Sequence, residues 1–419
     1  MHRSSSNGST RFSVTRISHL RVSTPLGDSG DLLKESRYVF NYTAHEPDKA
    51  ISLTMPIRAE SYSSGGLLPI FEMNKPEGYL LSKIEEAFAK VGPLDDMALL
   101  NLVGGRQIGR LSYAQPGVTK ERARAQIGRK ALLARKPTAD LFNELVAIYF
   151  DSGISGVQPK VLLPDADKAA PLAERTTLAY SDLIVKASGE EFPHLTQNEY
   201  LCMSAARRAG LPVPDFWLSD DGGLFVIERF DLQGGTALGF EDMAVLMNRP
   251  NREKYQGSYE GISKAIRLYC TESDPLPQLQ RFYEYVCLVV MVRNGDGHLK
   301  NFGLVYSHPG DRTSIRLAPL YDVVTTSIYA LSPGAAGITK YDRTLALNLA
   351  KSKRYPDRAT LLEFGRAICQ VARPERVLER IADAMTQTLR EERERVPGEL
   401  LGLMSSEWDA GRAVAVGSA

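Results

Sequence analysis

The segment 294–301 constrains this chain more than any other, because it places a carboxylate and an amide at a fixed interval directly after the apolar run 285–292. Asp296 stands five residues before Asn301. A second carboxylate, Asp322, follows two short arms at 302–306 and 314–317 that have the pattern of a hairpin. Carboxylate and amide oxygens that meet at one point can bind a hard cation, and a carboxylate there can accept the proton of a hydroxyl group.

The interval from Asp296 to Asn301 equals that of the protein-kinase catalytic loop. In that loop the aspartate orients or deprotonates the accepting hydroxyl, and the asparagine holds Mg²⁺. A plain turn is the alternative, because asparagine, aspartate and glycine favour turns. His298 in the loop and Tyr321 before Asp322 favour a site. A zinc site lacks further ligands at useful spacing, and the sequence contains neither the serine elbow of α/β-hydrolases nor a P-loop.

Residues upstream of this loop form a candidate nucleotide side. The glycine-containing turn 151–160 lets backbone amides approach phosphate oxygens, although most such turns are plain hairpins. Lys186 ends an apolar strand and would supply a point charge to a phosphate, held by Glu199 on a helix predicted over 196–208 with Thr196 as its N-cap. The next predicted strand, 224–230, ends where a hinge between two lobes would expose backbone groups to adenine.

Composition narrows the class of protein. A chain of 419 residues should form two to three domains or lobes. With 51 basic and 50 acidic residues, its charge offers no global argument for nucleic-acid binding. The four cysteines are far apart and form no CxxC motif, which predicts reduced, buried thiols. No apolar run reaches the roughly 18 residues of a membrane span, and the serine-rich N-terminus lacks a secretory core, so a cytoplasmic enzyme is expected.

Taken together, these motifs resemble those of the HipA family of bacterial toxin Ser/Thr protein kinases over about residues 30–400. The segments 294–302 and 318–322 are the most specific part of the resemblance. The resemblance implies ATP- and Mg²⁺-dependent phosphorylation of a translation-related protein, typically an aminoacyl-tRNA synthetase, with growth arrest and persistence as the result. It also implies neutralisation by a helix-turn-helix antitoxin that binds operator DNA, so this chain would contact DNA only indirectly.

The resemblance further implies a role for each matching residue. Asp296 would be the catalytic base, with His298 and Lys300 in the same loop, and Lys300 would neutralise charge on the transferred phosphoryl group. Asn301 and Asp322 would be the Mg²⁺ ligands. The ATP contacts would come from Ser155, Gly156, Val157, Gln158, Lys160, Lys186, Glu228 and Phe230. Gly153 stands where the family carries its inhibitory autophosphorylation serine, so Ser155 is the first candidate for self-phosphorylation and Ser152 the second.

The expected fold class is α+β: a two-lobe protein-kinase-like fold with a mixed α/β N-lobe, a mainly helical C-lobe and a small N-terminal subdomain. Strand-like runs at 37–42 and 51–55 belong to that subdomain. Two other functions stay open, a small-molecule or lipid-type kinase and a catalytically idle co-repressor that binds an antitoxin. The predicted boundaries are 1–30 for a partly flexible segment, 31–140 for the subdomain, 141–235 for the N-lobe, 236–408 for the C-lobe and 409–419 for a flexible tail.

Overall fold

The structure is a computed structural model that describes residues 17–77, 81, 84–86, 88, 94–105, 107–118, 129–134, 176–180, 183–188, 192–331 and 340–416. Six of the residues predicted to contact ATP or to carry phosphate lie outside these ranges: Ser152, Ser155, Gly156, Val157, Gln158 and Lys160. Across the ranges that are described, no helix is both long enough and apolar enough to cross a bilayer.

The N-terminal subdomain is a five-stranded antiparallel sheet that packs against short helices. Buried and half-buried residues alternate along the first strand, as expected for a sheet with one face on a core. The strand order is β4-β3-β2-β1-β5. The elements are β1 (His19–Thr24), β2 (Gly27–Lys34), β3 (Tyr38–Tyr42), β4 (Tyr62–Ser64), α1 (Pro69–Met73), α2 (Asp96–Val103) and β5 (Ser112–Ala114).

Two expectations for this region need correction. Residues 19–30, expected in a partly flexible segment, form β1, a turn and the first half of β2, because Leu20 and Val22 pack into the core of the subdomain. The strand predicted over 51–55 is a turn closed by a single bridge between Ser52 and Met55. The Ser52 hydroxyl and the Leu53 amide donate to the buried carboxylate of Glu241 instead of to a neighbouring strand.

The N-lobe consists of a four-stranded antiparallel sheet, in the order β6-β7-β9-β8, and one long helix. That helix begins at Leu195, and the predicted N-cap Thr196 lies within its first turn. Ser188 accepts from the Thr196 amide at 3.1 Å and so performs the capping role. The elements are α3 (Arg129–Ala134), β6 (Thr176–Tyr180), β7 (Leu183–Ala187), α4 (Leu195–Arg208), β8 (Phe216–Leu218) and β9 (Leu224–Glu228).

The C-lobe is mainly helical, and the apolar run 285–292 lies almost entirely within its central buried helix. Its helices are α5 (Met243–Leu246), α6 (Tyr259–Tyr269), α7 (Pro275–Met291), α8 (Arg358–Glu363), α9 (Pro374–Glu391) and α10 (Gly398–Arg412). Its strands are β10 (Leu232–Gln233), β11 (Thr236–Ala237), β12 (Gly239–Asp242), β13 (Gly303–Tyr306), β14 (Arg316–Leu317), β15 (Ala330–Leu331), β16 (Lys340–Tyr341), β17 (Thr344–Leu349) and β18 (Ser352–Arg354).

The hairpin expected between the two acidic motifs is present as β13 and β14, and β12 joins it as a third strand. The chain end differs from its prediction, because residues 409–412, expected in a flexible tail, form the last turn of α10. Gly411 permits this packing: a Cβ atom there would lie 1.7 Å from the Met291 carbonyl oxygen. All four cysteines are buried free thiols, as predicted.

Two buried acidic residues join the N-terminal subdomain to the rest of the chain. Glu241 on β12 accepts from the Ser52 hydroxyl at 2.6 Å, from the Leu53 amide at 2.7 Å and from the Tyr306 hydroxyl. Burial raises the pKa of Glu241, partly offset by these donors. Asp231 accepts from the Gly109 amide at 2.7 Å and pairs with Arg229 at 2.6 Å. The subdomain is therefore attached to the rest of the chain by specific buried hydrogen bonds.

Candidate active site

Lys186 contacts one carboxylate in each lobe, Glu199 in the N-lobe and Asp322 in the C-lobe. Its Nζ lies 2.6 Å from Glu199 Oε1 and 3.0 Å from Asp322 Oδ1. Burial alone would lower the pKa of Lys186, but the charges of Asp322 and Glu199 outweigh it and hold the pKa above the usual value. The lysine is therefore a fixed positive charge beside Asp322 at neutral pH.

Helix α4 holds this arrangement in place through Asn198, which is fully buried. The Asn198 side chain accepts from the Thr325 amide at 2.8 Å and donates to the Thr325 carbonyl at 2.9 Å. Trp408 on α10 donates to the Thr325 hydroxyl at 2.8 Å. Because Thr325 lies three residues after Asp322, these contacts fix the backbone that presents Asp322 to Lys186.

Asp322 and Asn301 are neighbours, as the sequence predicted from their motifs. Asn301 Nδ2 donates to Asp322 Oδ2 at 2.8 Å, while Asn301 Oδ1 accepts from the His298 amide at 2.9 Å. Asp322 has a φ of +58°, a conformation that costs free energy in a residue with a side chain. Such strain is characteristic of functional positions, and here it turns the carboxylate toward Lys186 and Asn301.

Asp296 lies at the half-exposed tip of the same loop. Its amide donates to Asn294 Oδ1 at 2.9 Å, and the Gly295 amide donates to the Thr326 hydroxyl at 2.6 Å. The Tyr255 hydroxyl donates to Asp296 Oδ1 at 2.8 Å. The turn chemistry that argued against a site therefore serves to present the carboxylate at the surface.

His298 is a buried member of the loop. Burial lowers the pKa of His298 to about 4, so the imidazole is neutral at pH 7. Its ring packs edge-to-face on Tyr255, with ring centroids 5.0 Å apart. This packing supports the loop, and the catalytic role suggested for His298 stays a prediction.

Lys300 makes its ion pair with the N-terminal subdomain. Its Nζ lies 2.5 Å from Glu77 Oε1 and 3.2 Å from Asn251 Oδ1. Asn251 Nδ2 also donates to Glu77 Oε1 at 2.5 Å. A phosphoryl group would therefore have to compete with Glu77 for this lysine.

Glu228 and Phe230 lie at the end of β9, where the hinge was predicted. The Glu228 amide donates to the Asp215 carbonyl at 2.8 Å, and the adenine contact of Glu228 stays a prediction. The Phe230 ring stacks on Tyr321 at 5.1 Å, and the Tyr321 hydroxyl donates to the Lys300 carbonyl at 2.8 Å. The hinge is thus joined by contacts to the catalytic-loop region.

The oxygen donors here suit Mg²⁺ better than zinc. The described residues contain no group of three or more histidine, cysteine, aspartate or glutamate side chains placed to hold a metal ion. Asp322 offers carboxylate oxygens, and Asn301 offers an amide oxygen that here accepts from the His298 amide. Mg²⁺ that is held mainly by nucleotide phosphates and water needs only one or two such protein ligands. The donor set therefore fits a nucleotide-bound Mg²⁺.

Comparison with protein families identifies the chain. Residues 152–392 match the family described as the HipA-like C-terminal domain, and residues 20–114 match the HipA N-terminal domain. The chain belongs to the HipA family. Its fold class is therefore α+β with HipA architecture, as the sequence predicted.

A solved HipA structure has the same fold. The Shewanella oneidensis MR-1 structure of HipA with HipB and its operator DNA superposes with a TM-score of 0.66 at 16% identity, covering 94% of this chain and 96% of that one.

Curated relatives match over shorter stretches. A Sinorhizobium fredii protein named "Putative kinase Y4mE" is 27% identical over 68% of this chain and 71% of its own length. A Haemophilus influenzae protein named "Putative kinase" is 33% identical over 42% of this chain and 53% of its own length. Another Sinorhizobium fredii protein, "Putative kinase Y4dM", matches over only 42% of its length at 27% identity.

Sequence reasoning missed three polar residues around the loop: Glu77, Asn251 and Tyr255. They lie 223, 49 and 41 residues from the loop residues that they contact. Rules based on sequence periodicity or motif spacing do not predict contacts between residues this far apart along the chain. The one signal available was the position of Tyr255 just before the Ser258 cap of α6.

Proposed function

We propose that this HipA family member is an ATP- and Mg²⁺-dependent Ser/Thr protein kinase that acts as a toxin. One observation carries the proposal: Lys186 bridges Glu199 and Asp322 while Asn301 contacts the other oxygen of Asp322. A lysine fixed between a helix carboxylate and a metal-binding aspartate is the arrangement that positions nucleotide phosphates in protein kinases. The predicted division into an N-terminal subdomain, an N-lobe and a C-lobe, and the predicted site residues, are part of the proposal.

Each residue has a distinct task in phosphoryl transfer. Lys186 binds nucleotide phosphate oxygens, and Asp322 with Asn301 would hold Mg²⁺, which neutralises phosphate charge when bound. Asp296 orients the acceptor hydroxyl and accepts its proton. Lys300, once released from Glu77, stabilises charge on the transferred group. Phosphoryl transfer demands positioning and charge neutralisation more than covalent help from the protein.

A protein substrate is favoured over a small molecule by the exposure of the base. Asp296 is half-exposed and Tyr255, which contacts it, is 43% exposed. A polypeptide can reach such a position, whereas a small-molecule kinase usually encloses its substrate. The intact chain of contacts from Lys186 to Asn301 argues against a catalytically idle co-repressor.

The substrate class and the partner are inferred from the family. A translation-related protein, typically an aminoacyl-tRNA synthetase, would be phosphorylated, and growth would stop. The related Shewanella protein was solved with HipB and operator DNA. A small helix-turn-helix antitoxin is therefore the proposed partner of this chain, with DNA contacted through it. Self-phosphorylation on Ser155 or Ser152 stays a prediction.

The test separates nucleotide binding from transfer. Asp296→Asn should leave Mg·ATP affinity unchanged by calorimetry and lower phosphoryl transfer by about 10²–10⁴-fold, because only the base is lost. Asp322→Ala should remove the Mg²⁺ dependence of ATP binding. Asp220→Asn, at an exposed aspartate of the N-lobe, is the matched control and should behave as wild type.

Phosphoproteomics after brief induction would identify the substrate. New phosphosites should appear with the wild-type chain and the Asp220→Asn control, and be missing with Asp296→Asn. Equal transfer or equal growth arrest by wild type and Asp296→Asn would refute the kinase proposal.

A further inference from the structure

Tyr255 places a hydroxyl group on the carboxylate assigned above as the base. Its hydroxyl donates to Asp296 Oδ1 at 2.8 Å. A base takes a proton from a donor at about 2.6–3.2 Å, so this is the distance at which an acceptor hydroxyl would bind. We propose that Tyr255 occupies the acceptor position of Asp296 in the resting protein, and that the substrate hydroxyl must displace it. The inference rests on the proposed kinase function and adds a regulatory positioning residue to it.

The segment that carries Tyr255 is attached to the catalytic loop on both sides. The Leu299 amide donates to the Lys254 carbonyl at 3.1 Å. The buried Tyr259 hydroxyl donates to the Gly297 carbonyl, also at 3.1 Å. The backbone next to Tyr255 is therefore fixed relative to Asp296, which keeps the two side chains within reach of each other.

The side chain itself can move. The Tyr255 ring contacts His298 edge-to-face and is 43% exposed to solvent. Half-exposed side chains exchange rotamers rapidly without disturbing the backbone. An incoming polypeptide can therefore push the ring aside, take over the hydrogen bond to Asp296 and retain Tyr255 as a wall of the acceptor position.

This arrangement has a measurable consequence when no substrate is present. Water can replace the acceptor in a kinase: its oxygen bonds to the γ-phosphorus, the bond from that phosphorus to the bridging oxygen breaks, and ADP leaves. Asp296 accepts the proton, and the second product is inorganic phosphate. With the Tyr255 hydroxyl on Asp296 Oδ1, a water molecule must displace that hydroxyl to take the same position, so ATP hydrolysis is slowed until a substrate binds.

The experiment measures phosphate release from Mg·ATP by the full chain without a protein substrate. Tyr255→Phe keeps the ring and removes the hydroxyl. It should raise kcat for hydrolysis about 10-fold, the effect of one hydrogen bond to a charged group, with KM for ATP unchanged. Tyr341→Phe removes a hydroxyl from a tyrosine of similar exposure, 46%, and should leave the rate at the wild-type value. A purely structural role for Tyr255 would lower the rate or leave it unchanged.

Two further measurements distinguish this inference from the kinase proposal. Asp296→Asn combined with Tyr255→Phe should abolish the added hydrolysis, because the water needs the base. Hydrolysis by Tyr255→Phe that does not exceed wild type, while Mg·ATP still binds, overturns the inference and leaves the kinase proposal standing. Phosphate on Tyr255 by mass spectrometry also overturns it, because Tyr255 would then be a substrate. Absence of Mg·ATP binding to the wild-type chain overturns both.

Discussion

Replacing Lys186 by methionine tests the ion-pair arrangement most directly. The side chain of Glu199 is 4% exposed, that of Lys186 16% and that of Asp322 28%. Lys186→Met leaves the Glu199 carboxylate buried without its cation, and breaking a buried pair from one side typically costs about 3–5 kcal/mol. Asp322 is more exposed, so water solvates its carboxylate when the lysine is removed. The destabilisation caused by Lys186→Met should therefore stay near the lower end of that range.

A double-mutant cycle isolates the pair. Glu199→Gln removes the buried negative charge, so Lys186→Met with Glu199→Gln should be less destabilised than Lys186→Met alone. If the destabilisation of the double variant equals the sum of those of the two single variants, Lys186 and Glu199 are not energetically coupled. A cost below about 1 kcal/mol for Lys186→Met would also contradict the reasoning. Lys264→Met, at an exposed lysine of α6, is the control and should change stability by no more than about 0.5 kcal/mol.

Urea titration followed by tryptophan fluorescence suits this measurement. The chain contains two tryptophans. Trp217→Phe leaves Trp408, which is fully buried and bonded to the Thr325 hydroxyl near Asp322. Its emission therefore reports the loop that the ion pair stabilises. The same variants should lose Mg·ATP affinity in calorimetry wherever Lys186 is absent, because the cation proposed to bind phosphate is gone.

Two predictions concern the contacts of β12. Glu241→Gln should lower the free energy of unfolding by about 1–3 kcal/mol and expose the N-terminal subdomain to limited proteolysis, since a buried acceptor of three hydrogen bonds is disturbed; unchanged protease resistance would contradict the role. Burial raises the pKa of Asp242 to about 6 from its ordinary 3.8. The folded state therefore favours the protonated carboxyl group. Its contribution to the free energy of unfolding is complete below pH 3.8 and is lost as the pH rises through 6. Asp242→Asn keeps the cap on the Val245 amide and should stabilise the chain by up to about 3 kcal/mol at pH 8 but not at pH 4, a difference that urea titrations at both pH values would reveal or exclude.

The N-terminal subdomain contacts the 294–301 loop through Glu77. Its carboxylate pairs with Lys300 and accepts from Asn251, so one acidic residue links the subdomain, the loop and the C-lobe. Glu241 and Asp231 fix the subdomain against the rest of the chain, and Glu77 contacts Lys300 from the subdomain. The position of the Lys300 side chain therefore depends on the position of the subdomain. In the proposed kinase, the fused subdomain would therefore influence the role assigned to Lys300.

The sequence by itself determined the parts of this protein that depend on local spacing. The interval between Asp296 and Asn301, the hairpin after it and the second carboxylate Asp322 follow from residue types within one short stretch, so they could be predicted. Lys186 at the end of a strand and Glu199 on the next helix could be paired because their order along the chain matches a known arrangement. Family resemblance then supplied the fold class.

Only the tertiary structure decided which distant residues meet at the loop. Tyr255 and Glu77 reach Asp296 and Lys300 across 41 and 223 residues, and Asn198 reaches Thr325 across 127. Local patterns carry no information on such contacts, because they depend on how separate elements pack. The same reason explains the last turn of α10: residues 409–412 look like a tail in isolation, and they are helical because Gly411 packs against Met291.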